Sequence, residues 1–329
     1  MRSAITHVFV SPFHNPANSY TRRQIADFEA MGLIVGSMKQ ALSGVWGVPR
    51  SAKVLVLNWF EDRLATARRP RIEMVRSLIV LALLKARIGH IIWVRHNHRP
   101  HAAGVSEALQ QRFLAAIGRL ASIAVTHRAV AGMEAMAVPH PLYGLEAGNR
   151  AATTRDIPFL VPGSVRANKG LVELLERWPA DKPLYIAGQC KEADLTRRIE
   201  TVIAARRLDV RWDNVFLDEA DLDALMARSD FVLLTNADAT MIVSGVFYHA
   251  ASFGANLLIR EGDYAAAMRA EHEFVQPLDP DRLEGLHPVP PARVIEQIER
   301  SNGRPARLAA WRQVFTRLGI HAPNQGAAR

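Results

Sequence analysis

The sequence predicts an α/β protein made of two doubly wound, Rossmann-like domains. Three observations carry that expectation. Short β-branched and apolar runs alternate with helix-length segments, and the alternation occurs as two successive series. The chain has 329 residues, 49% of them hydrophobic, enough apolar surface for about two domains of ordinary size.

In the first series, strands are expected near Ile5–Val10, Leu33–Gly36, Val54–Asn58, His90–Arg95 and Ile123–Thr126. Helices are expected between them, at about Arg22–Met31, Glu73–Arg87 and Gly104–Leu120. A second series follows, with strands near Pro158–Pro162, Leu184–Ala187, Val215–Leu217, Phe231–Leu234 and Asn256–Ile259. Its helices fit Gly170–Arg177, Ala193–Ala205, Asp221–Ala227 and Gly245–Phe253. Parallel pairing through helical crossovers is the expected arrangement. Pro, Gly and polar residues mix over Val138–Arg155 as they do in linkers, which sets domains of 1–150 and 151–329. A last amphipathic helix, about Ala306–Leu318, is free to pack back on the first domain.

The single cysteine, Cys190, excludes an internal disulfide framework and a cysteine-based zinc cage, and fits a reducing cytoplasm. No export signal is read at the start of the chain. The most apolar stretch, Ser77–Leu84, is far short of the ~20 residues that span a bilayer. Charge is uneven: residues 1–150 carry 19 Lys and Arg against 8 Asp and Glu, and residues 151–329 carry 22 against 24. A basic first half points to an anionic partner, either nucleic acid or an anionic membrane surface.

Phosphate chemistry is written most clearly in Phe159-Leu-Val-Pro-Gly163-Ser-Val-Arg166-Ala-Asn-Lys169-Gly170, a strand, a turn and a helix start. A diphosphate needs close backbone approach, helix N-terminal amides and fixed cations. Gly163 offers the approach, and Arg166 and Lys169 the charge; the same residues also suit an ordinary loop with solvated cations. Ser244 and Gly245, at the start of a later helix, add a hydroxyl and backbone amides, although a plain N-cap has the same look.

The stretch Gly163-x-x-Arg166-x-x-Lys169-Gly170 followed by LVELLE resembles the phosphate loop of the large GT-B glycosyltransferase families. Leu184-Tyr-Ile-Ala-Gly188 is similar to their next strand. Val215-Phe-Leu217-Asp218-Glu219 resembles their nucleobase loop. The GT-B fold, with two Rossmann-like domains facing across a cleft, is what this resemblance implies. Many retaining members carry two glutamates eight positions apart, where alignment on Gly254 places Met241 and His249; the departure argues against that subgroup.

Three segments of the first half narrow the resemblance: Asn15-Pro-Ala-Asn18-Ser-Tyr20, Leu57-Asn-Trp59-Phe-Glu61, and Arg95-His96-Asn97-His98-Arg99-Pro100-His101. They are similar to signatures of the inverting β-mannosyltransferases of xanthan-type exopolysaccharide assembly, which use GDP-mannose and a polyprenyl-linked oligosaccharide. The family's glutamate after the final histidine is here Ala102. All three segments would sit at the C-terminal ends of parallel strands, where open α/β sheets bind ligands. Inversion needs a base for the acceptor hydroxyl, for which Glu61 is the first candidate and His101 the second. The resemblance gives His96 the donor sugar, and places Asn15, Asn18, Tyr20, Trp59 and Asn97 on the acceptor side.

His96, His98 and His101 lack an acidic or cysteine partner nearby, and a strand end gives poor tetrahedral spacing, so neither metal nor other cofactor is expected. Arg68-Arg-Pro-Arg71 through Arg76, then SLIVLALL, then Lys85 and Arg87 can form an apolar helix with cationic flanks. Such a helix fits a membrane interface or a buried crossover. The expected function is therefore transfer of a sugar to a lipid-linked acceptor at the cytoplasmic membrane face. A UDP-sugar transferase for glucose or glucuronic acid is the alternative within the class. A non-enzymatic nucleic-acid binder is the alternative outside it, disfavoured by 7% aromatic residues and the lack of a recognisable binding module, so no nucleic acid is expected.

Overall fold

A computed structural model describes residues 3–4, 6–14, 19–44, 47–97, 105–144, 154–236 and 242–321. The chain divides into two compact units, Met1–Pro141 with Arg304–Arg329, and Leu142–Gly303.

Along unit 1 run β1 (Ser3–Ala4), β2 (His7–Ser11), α1 (Tyr20–Ala30), β3 (Ile34–Ser37), α2 (Met38–Ser43), β4 (Lys53–Asn58), α3 (Pro70–Arg87), β5 (His90–Val94), α4 (Glu107–Leu120), β6 (Ile123–Thr126) and β7 (Met136–Ala137). Unit 2 follows with β8 (Ile157–Pro162), α5 (Leu171–Arg177), β9 (Leu184–Ala187), α6 (Ala193–Arg206), β10 (Val210–Asp213), α7 (Glu219–Arg228), β11 (Ser229–Leu234), α8 (Gly245–Ser252), β12 (Asn256–Ile259), α9 (Asp263–Glu271), β13 (Val275–Pro277) and α10 (Pro291–Asn302). The chain then returns to unit 1 as α11 (Arg304–Arg317) and β14 (Ile320–His321), which pairs with β1.

Each unit is built on a six-stranded sheet whose pairings are all parallel. The strand order is β3-β2-β4-β5-β6-β7 in unit 1 and β10-β9-β8-β11-β12-β13 in unit 2. Strand order therefore reverses between β2 and β4 in the first sheet and between β8 and β11 in the second. Loops at the C-terminal ends of those pairs are where such sheets open to ligands.

Side chains alternate across each strand, and both faces of each sheet are apolar because both are covered by helices. In unit 1, Val54, Val56, Ile92 and Val94 pack with Phe28 of α1 and Trp311, Val314 and Phe315 of α11. Leu55, Leu57, Ile91 and Trp93 pack on the opposite face with Leu81 and Leu84 of α3 and Phe113 and Ile117 of α4. In unit 2, Leu160, Val232 and Leu257 face Phe247 of α8 and Ile298 of α10. Phe159, Phe231 and Leu258 face Leu175, Trp178 and Ile199.

Two expectations are corrected. The strand read at Val215–Leu217 lies earlier, at β10, whose Val210 pairs with Leu184; Val215 and Phe216 are exposed in the loop beyond it. An edge strand alternating as Val-Arg-Trp-Asp is less conspicuous than the apolar run that follows it. The start of the stretch read as linker is core: Val138 and His140 are buried in unit 1. Among the described residues, no helix is long and apolar enough to cross a membrane.

Candidate functional site

In unit 2, the loop at the end of β8 is set by its backbone geometry. Gly163 takes φ +84°, a left-handed conformation suited to glycine. Its amide donates to the Ala187 carbonyl at 2.8 Å, and the Val165 amide donates to Gln189 at 3.0 Å, so the loop after β8 is fastened to the loop after β9. A Cβ on Gly188 would stand 2.2 Å from the Gly163 carbonyl oxygen, which excludes any side chain there.

Lys169 closes the short 3-10 turn Ala167–Lys169, and its Nζ lies 3.7 Å from the place a Gly163 Cβ would take. Burial, with the Arg166 charge behind it, pulls the Lys169 ammonium down to about 8. Arg166 is exposed. An anion beside a partly desolvated ammonium favours its charged form, so the loop is chemically suited to a phosphate.

Arg260, which the sequence reading missed, joins this region. It follows β12 directly, its amide donates to the Leu234 carbonyl at 3.0 Å, and its guanidinium sits against Gly170. With Thr235, Glu173, Arg177 and Gly170 it lines a pocket of ≈ 110 Å³. Its position one residue beyond a parallel strand was the available signal.

Ser244 caps α8, its hydroxyl accepting from the Phe247 amide at 3.4 Å, and the Tyr143 hydroxyl lies near Gly245. His249, one of the two positions aligned with the retaining glutamates, is buried. Its ring stacks on Tyr143 at 4.4 Å between centroids, and its Nε2 is hydrogen-bonded to Asp223. Asp218 is the N-cap of α7, accepting from the Asp221 amide at 2.9 Å; Glu219 opens the helix and Leu217 packs against the unit 2 core.

In unit 1 the ends of β4, β5 and β6 bring together a nest of rings. Trp59, in left-handed conformation after β4, stacks on His96 at 4.1 Å. Tyr20, the first residue of α1, lies 4.9 Å from His96, 5.3 Å from His127 and 5.2 Å from His140, centroid to centroid. Asn58 donates to Gln24 at 2.8 Å and reaches His96 at 3.5 Å. Asn97, next to His96, is half-buried.

His127 and His140 were also missed. His127 follows β6 as His96 follows β5, so its place was legible; His140 reaches the nest from the segment read as linker. All three imidazoles are held uncharged by burial, His127 at about 4 and the other two well below their ordinary value. His127 Nδ1 lies 3.0 Å from the Val138 carbonyl and therefore carries the proton it donates. His127 Nε2 is then a bare acceptor, buried without a hydrogen-bond partner among the described residues. A ligand hydroxyl suits it chemically.

Glu61 is 2% exposed, in the short turn Phe60–Leu64, and accepts from Trp93 Nε1 at 2.9 Å. Burial raises its carboxyl to about 7, against the opposing effect of the Trp93 hydrogen bond. Trp93 belongs to the apolar layer beneath α3 and α4, so its hydrogen bond draws Glu61 towards that layer. Asn15, Asn18, His98, His101, Ala102 and Met241 lie outside the described residues. Among the described residues, no group of three His, Cys, Asp or Glu is arranged to hold a metal ion.

No protein-family model and no curated protein sequence matches this chain significantly. Solved structures do resemble it. AviGT4, a glycosyltransferase involved in avilamycin A biosynthesis, is 15% identical, with 96% of this chain and 98% of that one covered at a TM-score of 0.61. A UDP-forming α,α-trehalose-phosphate synthase from Burkholderia vietnamiensis is 13% identical over 95% and 97% of the two chains, at 0.57. HepE from Anabaena, in complex with UDP and glucose, is 12% identical over 96% of each, at 0.53. At these identities the likeness establishes the fold, two Rossmann-like α/β domains of the GT-B type.

Proposed function

We propose that this chain is a glycosyltransferase that takes a sugar from a nucleotide donor and inverts its anomeric centre. The observation that carries this reading is the loop at the switch point of unit 2, where Gly163, Gly188, Arg166, Lys169 and Arg260 combine close backbone approach with cationic charge. The loop binds the donor diphosphate, helped by Ser244 and the start of α8, and meets the charge of the leaving nucleotide without requiring a metal. His96, His127, Tyr20 and Trp59 bind sugar hydroxyls in unit 1. The acceptor oxygen attacks the anomeric carbon, the bond from that carbon to the diphosphate oxygen breaks, and the acceptor proton passes to a base.

Glu61 is proposed as that base, since a carboxyl titrating at about 7 is matched to proton transfer at neutral pH. Glu61→Gln should preserve nucleotide binding and lower turnover roughly 100- to 10,000-fold. Near-normal turnover would leave Glu61 a structural partner of Trp93 and pass the role to the histidines.

The finer reading is transfer of mannose from GDP-mannose to a polyprenyl-linked saccharide at the inner face of the cell membrane, in exopolysaccharide assembly. It rests on the sequence segments around Tyr20, Trp59 and His96. A UDP-sugar donor is the second reading, supported by the UDP and glucose bound in HepE and by the UDP-forming activity named for the trehalose-phosphate synthase. A thermal-shift series with GDP and UDP separates them, because a bound ligand raises stability by mass action. Stabilisation by neither, with no nucleotide released from any nucleotide sugar, would overturn the enzymatic reading.

A further inference from the structure

Exposed apolar side chains are concentrated on one helix, α3. Ile72, Val75, Ile79 and Leu83 are 57%, 54%, 55% and 50% exposed. They are spaced by three or four residues and so form one stripe, roughly 16 Å long at about 1.5 Å rise per residue. Ser77, Leu81 and Leu84 are buried on the opposite side. The helix is thus apolar on two faces, one serving as crossover packing and the other uncovered.

Charge around the stripe is predominantly positive. Arg71 and Arg76 line a shallow depression together with Ile72, Val75, Ile79 and Val80. Arg68 and Arg69 precede the helix, Arg87 ends it, and all three are exposed. The one acidic residue of α3, Glu73, accepts from the Ser77 hydroxyl at 3.2 Å and lies 3.7 Å from both Arg63 and Arg76. Among the described residues, no carboxylate pairs with Arg68, Arg69, Arg71 or Arg87.

We propose that α3 docks this chain on an anionic lipid bilayer, lying in the plane of the surface. Ile72, Val75, Ile79 and Leu83 enter the acyl boundary while the surrounding guanidiniums meet lipid phosphates. Charge selects this occupant. A second copy of the same face would set five guanidiniums against five, which opposes self-association. The proposal deepens the reading of a lipid-linked acceptor and rests on it for its purpose. Nucleotide binding in unit 2 does not involve α3, so that measurement separates a failure here from a failure of the enzymatic reading.

The test is flotation of the full chain with phosphatidylcholine vesicles containing or lacking phosphatidylglycerol. Binding is expected only with phosphatidylglycerol, decreasing as salt rises. The variant I72S/V75S/I79S/L83S should lose about tenfold or more of that partition even at low salt, and R68E/R69E/R71E should abolish the preference for anionic lipid. Because the sole cysteine, Cys190, is buried, a nitroxide on Ile79→Cys reports depth independently of the multiple variant and should be shielded from aqueous quenchers on vesicles. Unchanged partition of a folded serine variant, a nitroxide that stays water-accessible, equal binding to both vesicle types, or conversion of a solution dimer to monomer by the serine substitutions would each overturn the proposal.

Discussion

Lys169 shows how a single position ties sequence to chemistry. Its place three residues after Arg166 and before Gly170 was readable, but its lowered pKa was not, because that depends on the side chain folding back over Gly163. Its folded value of about 8 lies below the ordinary 10.5, so the unfolded chain holds a proton the folded chain lacks between those values. Stability from this group therefore rises with pH across that window and is lost as pH falls through about 8. A bound diphosphate has the opposite preference, because it favours the ammonium. Nucleotide affinity should accordingly fall as pH rises above about 8, by up to about tenfold per pH unit for one proton. Lys169→Arg should bind without that dependence, since a guanidinium stays charged. Calorimetric titration of a nucleoside diphosphate between neutral and alkaline pH checks this; a flat wild-type profile would remove Lys169 from the phosphate loop. The histidine nest was less legible for a related reason. His127 takes its tautomer from Val138, and Tyr20 joins the ring cluster from a different element, so no local motif announces them.

At the scale of elements, periodicity located most strands and helices because both faces of each sheet are buried. It located α3 but left open which of its apolar residues are core. The apolar content of α3 fits a crossover helix, and only the structure separates Leu81 and Leu84 in the core from Ile79 and Leu83 outside it. Helix α11 shows the converse: it is tied to α1 by a polar contact between residues far apart in the chain. Arg307 donates to both carboxylate oxygens of Asp27, at 2.7 and 2.9 Å, with Asp27 1% and Arg307 8% exposed. Arg304 approaches the same carboxylate at 3.7 Å. Removing one partner leaves a buried charge largely unmatched, so Arg307→Ala should destabilise unit 1 by about 3–5 kcal/mol, somewhat less if Arg304 moves in. Asp27→Ala should show a similar loss, and the double variant should lose less than the sum of the two. Urea unfolding of the three variants measures this, and simple additivity would mean that the pair does not act as a unit.

At the scale of the whole molecule, the order of chain segments is not the order of domains. Unit 2 is continuous, whereas unit 1 is completed by a return segment after Gly303. That segment supplies Trp311, Val314, Phe315 and Ile320 to the same apolar layer as Val8, Phe28 and Val94. Removing it would expose several large side chains at once, each worth about 1.5–3 kcal/mol of burial, which exceeds the margin of a typical domain. The two units should therefore respond differently to truncation. Residues 142–303 have both faces of their sheet covered by their own helices and contain Gly163, Lys169, Gly188, Ser244 and Arg260. Expressed alone, they should unfold cooperatively and retain nucleotide diphosphate binding. Residues 1–141 alone should lack a cooperative transition and bind a hydrophobic dye, and joining residues 304–329 to them through a flexible linker should restore cooperative unfolding. Calorimetry of the three fragments distinguishes these outcomes. A cooperative fold for residues 1–141 alone would show that α11 covers an already stable core, while loss of nucleotide binding from a folded 142–303 fragment would place essential donor contacts in unit 1.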